Sequence, residues 1–299
     1  VDNARVVLEL TPPVPSTGDA DRPLAISARG LGKKYLLGEM HRGVPELKDV
    51  LVQSVIRRLG QRRRHHHHDR EVFWALRNVS FDIREGEAVA VIGRNGSGKS
   101  TLLQILARAV PPTEGRAIVR GRVAPILAVG AGFNPEFTGR ENIIMSGVIL
   151  GLTRKEIERR MPEITAFAGV DQFLDTPVKR YSSGMYVRLA FSVVAHVDAD
   201  VLLADEVLAV GDMEFRTRCF ERMESHVRDG RTLLFVSHST SHIRRICTRA
   251  IYLAGGHLVA DGPVEDVLAM YEADVEAGER GGRPTERPPG PAGRRLELD

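Results

Sequence analysis

One octapeptide constrains this chain more than any other stretch: Gly93-Arg94-Asn95-Gly96-Ser97-Gly98-Lys99-Ser100. Residues 89–92 before it are apolar and strand-like, and residues 101–106 after it are helix-like. Strand, glycine-rich turn and helix is the context in which the pattern G-x-x-x-x-G-K-[ST] cradles phosphate. Its glycines let the backbone curl so that N–H groups converge on an anion. The helix N-terminus that follows, opening at Thr101, adds partial positive charge. Lys99 is placed to reach β- and γ-phosphates, and the Ser100 hydroxyl to hold Mg²⁺. The loop as a whole, Arg94, Asn95 and Ser97 included, therefore implies a nucleoside triphosphate.

A second run completes that chemistry. Val201-Leu202-Leu203-Ala204-Asp205-Glu206 reads as an apolar strand ending in two acids. Such a strand end puts Asp205 beside the metal with Ser100. It puts Glu206 beside the attacking water as general base or orienting group.

The rest of the chain alternates strands and helices. Residues 72–83, 87–93, 117–127, 201–204 and 233–236 read as strands, and the last two suit buried parallel strands. Residues 250–253 and 257–260 flank Gly255-Gly256 as a hairpin. From Phe137 to His196 the pattern is helical, so a helical insert over 130–198 interrupts an α/β core. Residues 1–22 read as a loose tail. Residues 275–299, rich in Gly, Pro, Arg and Glu, read as a disordered one. The folded domain is then 23–274.

Within it, residues 36–70 form an excursion between two strands. Val44, Leu47, Leu51, Val55 and Leu59 recur at helical spacing after Pro45, and Gly60 is a terminator. Arg57, Arg58 and Arg62 to Arg64 follow, then His65 to His68. Two readings stay open for this amphipathic helix: packing on its own domain, or contact with a membrane surface or partner. The histidine run lacks the further spaced ligands of a structural zinc site.

Composition limits the alternatives. No run approaches the ~18 uninterrupted apolar residues of a membrane span. The most apolar region, 189–210, is broken by His196, Asp198, Asp200, Asp205 and Glu206. A formal net charge of +3 gives no global argument for nucleic acid. Cys219 and Cys247 are too few for a disulfide framework and lack metal-ligand spacing, so buried free thiols are expected. Val1 to Leu10 carries Asp2, Arg5 and Glu9 and does not read as a signal peptide. A cytoplasmic protein, held at a membrane only by a partner, is the resulting expectation.

With these residues in place, the chain resembles the ABC ATPases over residues 24–272. Tyr181-Ser182-Ser183-Gly184-Met185 stands in the position of that family's LSGGQ signature, and Ser182 and Gly184 match it. His238 in Phe235-Val236-Ser237-His238 resembles the switch histidine, Ala209-Val210-Gly211-Asp212 the D-loop, and Tyr35 the aromatic residue that stacks on adenine. Gly130-Ala131-Gly132-Phe133-Asn134-Pro135-Glu136, Gly139-Arg140-Glu141-Asn142 and the Asp205 to Asp212 run narrow the resemblance to the polysaccharide-exporter branch, which serves O-antigen, capsule and teichoic-acid export. One departure stands out: 126–130 reads Ile-Leu-Ala-Val-Gly, without the family's usual glutamine.

The resemblance implies an α/β P-loop NTPase core of the RecA-like type, with an antiparallel β portion and a helical subdomain. It implies an ATPase using ATP and Mg²⁺. Two chains would form a head-to-tail homodimer, each site joining Lys99, Ser100, Asp205, Glu206 and His238 of one to Ser182, Ser183 and Gly184 of the other. It further implies an integral membrane permease as partner, a lipid-linked polysaccharide as cargo, and a place on the cytoplasmic face of the inner membrane. The rival readings are the ATPase of another ABC transporter class, a drug or lipid exporter or an importer, and a non-transport ABC ATPase.

Overall fold

Two sheets with a helix between them carry the site, in a computed structural model that describes residues 5–9, 22–36, 72–126, 130, 132–205 and 212–281. The smaller sheet holds β1 (Arg5–Glu9), β2 (Leu24–Leu36), β3 (Val72–Arg84) and β5 (Glu114–Arg120) in the order β1-β5-β2-β3. The β2–β3 and β2–β5 pairs are antiparallel, and β1 lies parallel to β5. The larger sheet holds β4 (Ala88–Ile92), β6 (Val123–Ile126), β7 (Val201–Ala204), β8 (Thr232–Val236), β9 (Arg249–Ala254) and β10 (His257–Pro263). Its order is β10-β9-β4-β8-β7-β6, parallel throughout except for the antiparallel edge strand β10.

The apolar runs of the sequence explain this larger sheet. Every residue of β4, β7 and β8 is buried, as a parallel strand covered on both faces requires. Alternate residues divide between two cores. Val89, Val91, Leu203, Leu234 and Val236 face the smaller sheet and α1 (Lys99–Leu106), whose Leu102, Leu103, Ile105 and Leu106 are fully buried there. Ala90, Ile92, Leu202, Leu233 and Phe235 join the opposite core with the remaining helices.

Those helices include α2 (Gly139–Ile149), α3 (Arg154–Ala168) and α4 (Ser183–Ala195), a layer built from the predicted insert, and α5 (Met213–Arg228). Capping boxes open two of them: Thr138 with Glu141 starts α2, and Thr153 with Glu156 starts α3. Asn142 is fully buried. Its Oδ1 accepts from the Asn134 N–H at 2.7 Å, and its Nδ2 reaches the carbonyls of Asn134, Phe137 and Thr138 at 3.0–3.1 Å. Residues 134–138 thus fold as a loop onto the first turn of α2. Phe215 of α5 meets Phe167 of α3 and Phe191 of α4 edge-on, at 5.5 and 5.8 Å between centroids. Arg160 of α3 and Arg231 both pair with Asp198, tying the helical layer to the sheet.

Three sequence expectations are corrected. Residues 117–127 are not one strand, because β5 and β6 belong to different sheets. The break falls at Gly121-Arg122, where the Arg122 N–H donates to Asp200 Oδ2 at 2.7 Å. The burial phase also changes there, from 117 and 119 to 124 and 126. Residues 5–9, expected in a loose tail, form a strand. Val6, Val7 and Leu8 have strand propensity, and β5 offers an unpaired edge. Residues 275–281, expected to be disordered, continue α7 (Val264–Gly281), whose apolar face at Val264, Val267, Leu268 and Tyr271 packs on the opposite core. Residues 37–70 of the excursion, with its amphipathic helix and histidine run, lie outside the described residues, as do 10–21 and 282–299 of the two expected tails.

Candidate nucleotide site

The parallel register places the site. Val91 pairs with Val236, and Ala204 with Phe235, so β4, β7 and β8 end side by side. Gly93, Asp205 and His238 follow those three ends, at the edge where open α/β sheets bind ligands.

Three bends of the loop from Gly93 to Ser100 have positive φ, and at two of them a side chain would also collide with neighbouring backbone. Gly93 has φ +151, and a Cβ there would meet the Leu253 carbonyl oxygen at 2.2 Å. Gly98 has φ +105, and a Cβ there would meet the Ala75 oxygen at 2.4 Å. Gly96, at φ +80, needs glycine for its backbone alone: no atom lies within 4 Å of a Cβ position, so the loop's outer side is open. Within the curl, Lys99 is 7% exposed, and its ammonium donates to the carbonyls of Gly93 at 2.7 Å and Arg94 at 3.0 Å.

A cleft of about 210 Å³ opens beside the loop, lined by Phe73, Ala75, Asn95, Gly96, Gly98, Lys99, Ser100, Thr101, Asp205 and His238. The expected residues Lys99, Ser100, Asp205 and His238 therefore converge on one space. The lining fits a triphosphate with its metal. Lys99 and the first turn of α1 supply positive potential. Ser100 and Asp205 offer the oxygen donors that suit Mg²⁺. The buried Ser97 Oγ finds no hydrogen-bond partner among the described residues.

Tyr35 is absent from the lining, and Phe73 takes that place. The two are cross-strand neighbours in register on β2 and β3, so their rings share a face. They are 39% and 46% exposed, which leaves both free to meet a flat base. Phe73 was not read from the sequence, because only the register of β2 against β3 brings it beside Tyr35.

Ser182, Ser183 and Gly184 lie apart from the cleft, at the N-terminus of α4. Ser182 is the N-cap, its Oγ accepting from the Met185 N–H at 3.2 Å. Asp212 caps α5 through the Phe215 N–H at 2.8 Å and approaches Arg188 of α4 at 3.7 Å. Glu206, residues 209–211 of the D-loop segment and residues 127–129 lie outside the described residues.

Comparison with known proteins agrees with this geometry. Residues 76–209 match the ABC transporter family model. The O-antigen export system ATP-binding protein RfbB of Klebsiella pneumoniae is 44% identical over 200 residues, covering 67% of this chain and 81% of that protein. RfbB of Myxococcus xanthus is 44% identical over 71% of this chain but only 48% of its own length. The teichoic acids export ATP-binding protein TagH of Bacillus anthracis is 39% identical over 80% of this chain and 41% of its own. The chain thus spans about half the length of some of the relatives it matches. The dimeric ATP-binding cassette MJ0796 bound to ADP and Pi shares the fold, with a TM-score of 0.60 at 21% identity, covering 80% of this chain and 98% of that one. From its phosphate loop, its strand-end acid and these relatives together, the chain belongs to the ABC transporter ATP-binding family, in the branch of the O-antigen and teichoic acid export proteins.

Proposed function

We propose that the chain is the ATP-hydrolysing subunit of an ABC exporter, driving a membrane permease that moves a lipid-linked polysaccharide from the cytoplasmic face of the inner membrane. The observation that carries the reading is the convergence of Lys99, Ser100, Asp205 and His238 on one cleft at the strand ends. Lys99 and the loop amides hold the β- and γ-phosphates. Ser100 and Asp205 would hold Mg²⁺, which would supply positive charge against that developing on the phosphate oxygens. Glu206 takes the proton of the attacking water as the water oxygen bonds to the γ-phosphorus and the bond to ADP breaks. His238, also in the lining, would meet the γ-phosphate as the resemblance implies. Phe73 and Tyr35 offer faces to the adenine.

The position of Ser182 to Gly184 supports a head-to-tail homodimer. These residues are outside the chain's own cleft, yet a helix N-terminus with a serine hydroxyl is suited to a phosphate. Gly184 is not required by its own fold: a Cβ there would meet nothing nearer than Ser182 Oγ at 3.9 Å. A glycine within a helix costs about 1 kcal/mol relative to alanine, so close approach of a ligand is a reason to keep it. The names of the relatives support the cargo and the permease. Among the described residues no helix is long and apolar enough to cross a membrane.

The test is Glu206→Gln in the host and in the purified chain. ATP binding should persist while turnover falls by about 10²–10⁴-fold. Surface glycan should disappear as its lipid-linked precursor accumulates. Wild-type phosphate release would remove Glu206 from the mechanism, and normal surface glycan with abolished turnover would remove the cargo.

A further inference from the structure

The turn that returns β9 into β10 also holds the phosphate loop. From α6 (Thr240–Ile246) the chain enters β9, which runs parallel to β4 and pairs Tyr252 with Ile92, the residue before Gly93. At the turn, the Gly256 N–H donates to the Ser97 carbonyl at 3.2 Å, and the Gly256 carbonyl accepts from the Arg77 N–H at 2.8 Å. One residue thereby joins the loop on one side to β3 on the other, and β3 brings Phe73 and Ala75 into the cleft lining. Gly256 and Ser97 are both buried, so water does not compete for the bond between them.

The junction leaves little room for a side chain. Gly256 has φ +81, and a Cβ there would meet the Ala75 oxygen, the Ala75 carbonyl carbon and Leu76 Cα at 3.0, 3.2 and 3.3 Å. The same Ala75 oxygen lies 2.4 Å from the Cβ position of Gly98. Hairpin and loop thus close on one peptide of β3, each with a glycine at the contact. Gly255 is different: it is exposed, with φ +55 and nothing within 4 Å of its Cβ position. Among the described residues every peptide bond is trans, and across a trans peptide the C=O and the next N–H point in opposite directions. A Ser97 carbonyl turned toward Gly256 therefore turns the Gly98 N–H away from the hairpin, and Gly98 lines the cleft.

We propose that Gly256 is a positioning residue for the nucleotide site. Its N–H fixes the Ser97 carbonyl, and that peptide presents the Gly98 N–H to a phosphate oxygen. Its own carbonyl ties the same unit to the strand that carries Phe73. Gly256 itself is outside the cleft lining and touches no nucleotide. The inference rests on the nucleotide-binding reading above, and it makes the β9–β10 turn part of the device that sets affinity.

Two alanine variants of the full chain test it. Both put a side chain at positive φ in the same turn and strain it, but only Gly256→Ala must also shift the turn against β3 and the loop. Equilibrium binding of Mg²⁺–ATP should weaken about three- to tenfold in Gly256→Ala and stay within about twofold of wild type in Gly255→Ala. The loss in Gly256→Ala should fall on KM, with turnover at saturating ATP within about twofold, a split that general loosening of the fold would not give. The unsubstituted chain supplies a second measurement, independent of how the variants fold. If the Gly256–Ser97 bond favours nucleotide, nucleotide must favour the bond. Saturating Mg²⁺–ADP should therefore slow hydrogen exchange of the Gly256 amide by about threefold or more. Wild-type affinity in Gly256→Ala, equal losses in the two variants, or exchange at Gly256 indifferent to bound ADP would overturn the proposal. A wild-type chain that binds neither ATP nor ADP would instead remove the nucleotide reading beneath it.

Discussion

His226 shows how a single buried side chain makes stability depend on pH. Its Nε2 is buried on α5 with no hydrogen-bond partner among the described residues. Burial, then the nearby charges of Arg231 and Arg222, push its pKa down from 6.5 to about 4, against smaller opposing effects of Asp229 and Asp198. Between those values the unfolded chain binds a proton that the folded chain refuses, so stability is full above about 6.5 and is lost progressively toward about 4. Burial lowers His196 in the same sense. Urea midpoints measured from pH 7.5 to 5 should therefore fall less steeply in His226→Leu than in wild type; parallel slopes would sink this account. The two thiols carry no such dependence. Burial pushes Cys219 and Cys247 up to about 12, so both stay protonated, as free buried thiols should. At this scale Lys99 and Ser100 were picked out by the G-x-x-x-x-G-K-[ST] pattern, Asp205 by its place at the end of an apolar strand run and His238 by the family resemblance, and the structure lines one cleft with all four. His226 was not: on a helix rich in charge, its burial depends on which face packs.

For elements, legibility followed the strength of the periodic signal. The wholly apolar runs at β4, β7 and β8 named themselves, and Gly255-Gly256 announced the β9–β10 hairpin. The division of residues 117–127 into β5 and β6 was hidden, because β-type residues continue on both sides of the turn and Asp200, which anchors it, is distant in sequence. Residues 275–281 misled by composition: acidic residues and glycine there outweighed the apolar face that begins at Val264. The start of α2 gives the sharpest test of an element. From a fully buried position Asn142 accepts from the Asn134 N–H and shares its two amide hydrogens among three carbonyls of the 134–138 loop. Asn142→Ala should cost about 1–3 kcal/mol, chiefly by leaving the Asn134 N–H without its acceptor, since the three carbonyls keep backbone donors. Chemical denaturation reads this directly, and a loss under about 0.5 kcal/mol would mean that water replaces the amide.

On the scale of the whole molecule, the cleft and the signature helix face different tasks in one chain, and the test lies in mixing chains. Lys99→Ala damages the cleft, and Ser182→Arg damages the N-terminus of α4. In the proposed head-to-tail arrangement, a mixed dimer would have one site carrying both lesions and one carrying neither. ATPase activity in the mixture should exceed that of either variant alone, while a Ser182→Arg homodimer with wild-type turnover would dismiss the composite site. The strand order adds a consequence in time. β4 sits between β8 and β9, and Ile92 finds its partner only at Tyr252. A chain emerging from the ribosome at about 5–20 residues per second displays its whole phosphate-binding sequence long before the strands that flank it exist. Nucleotide therefore has no finished site to stabilise in the early nascent chain, and its help in folding should begin only once β8 and β9 have been synthesised.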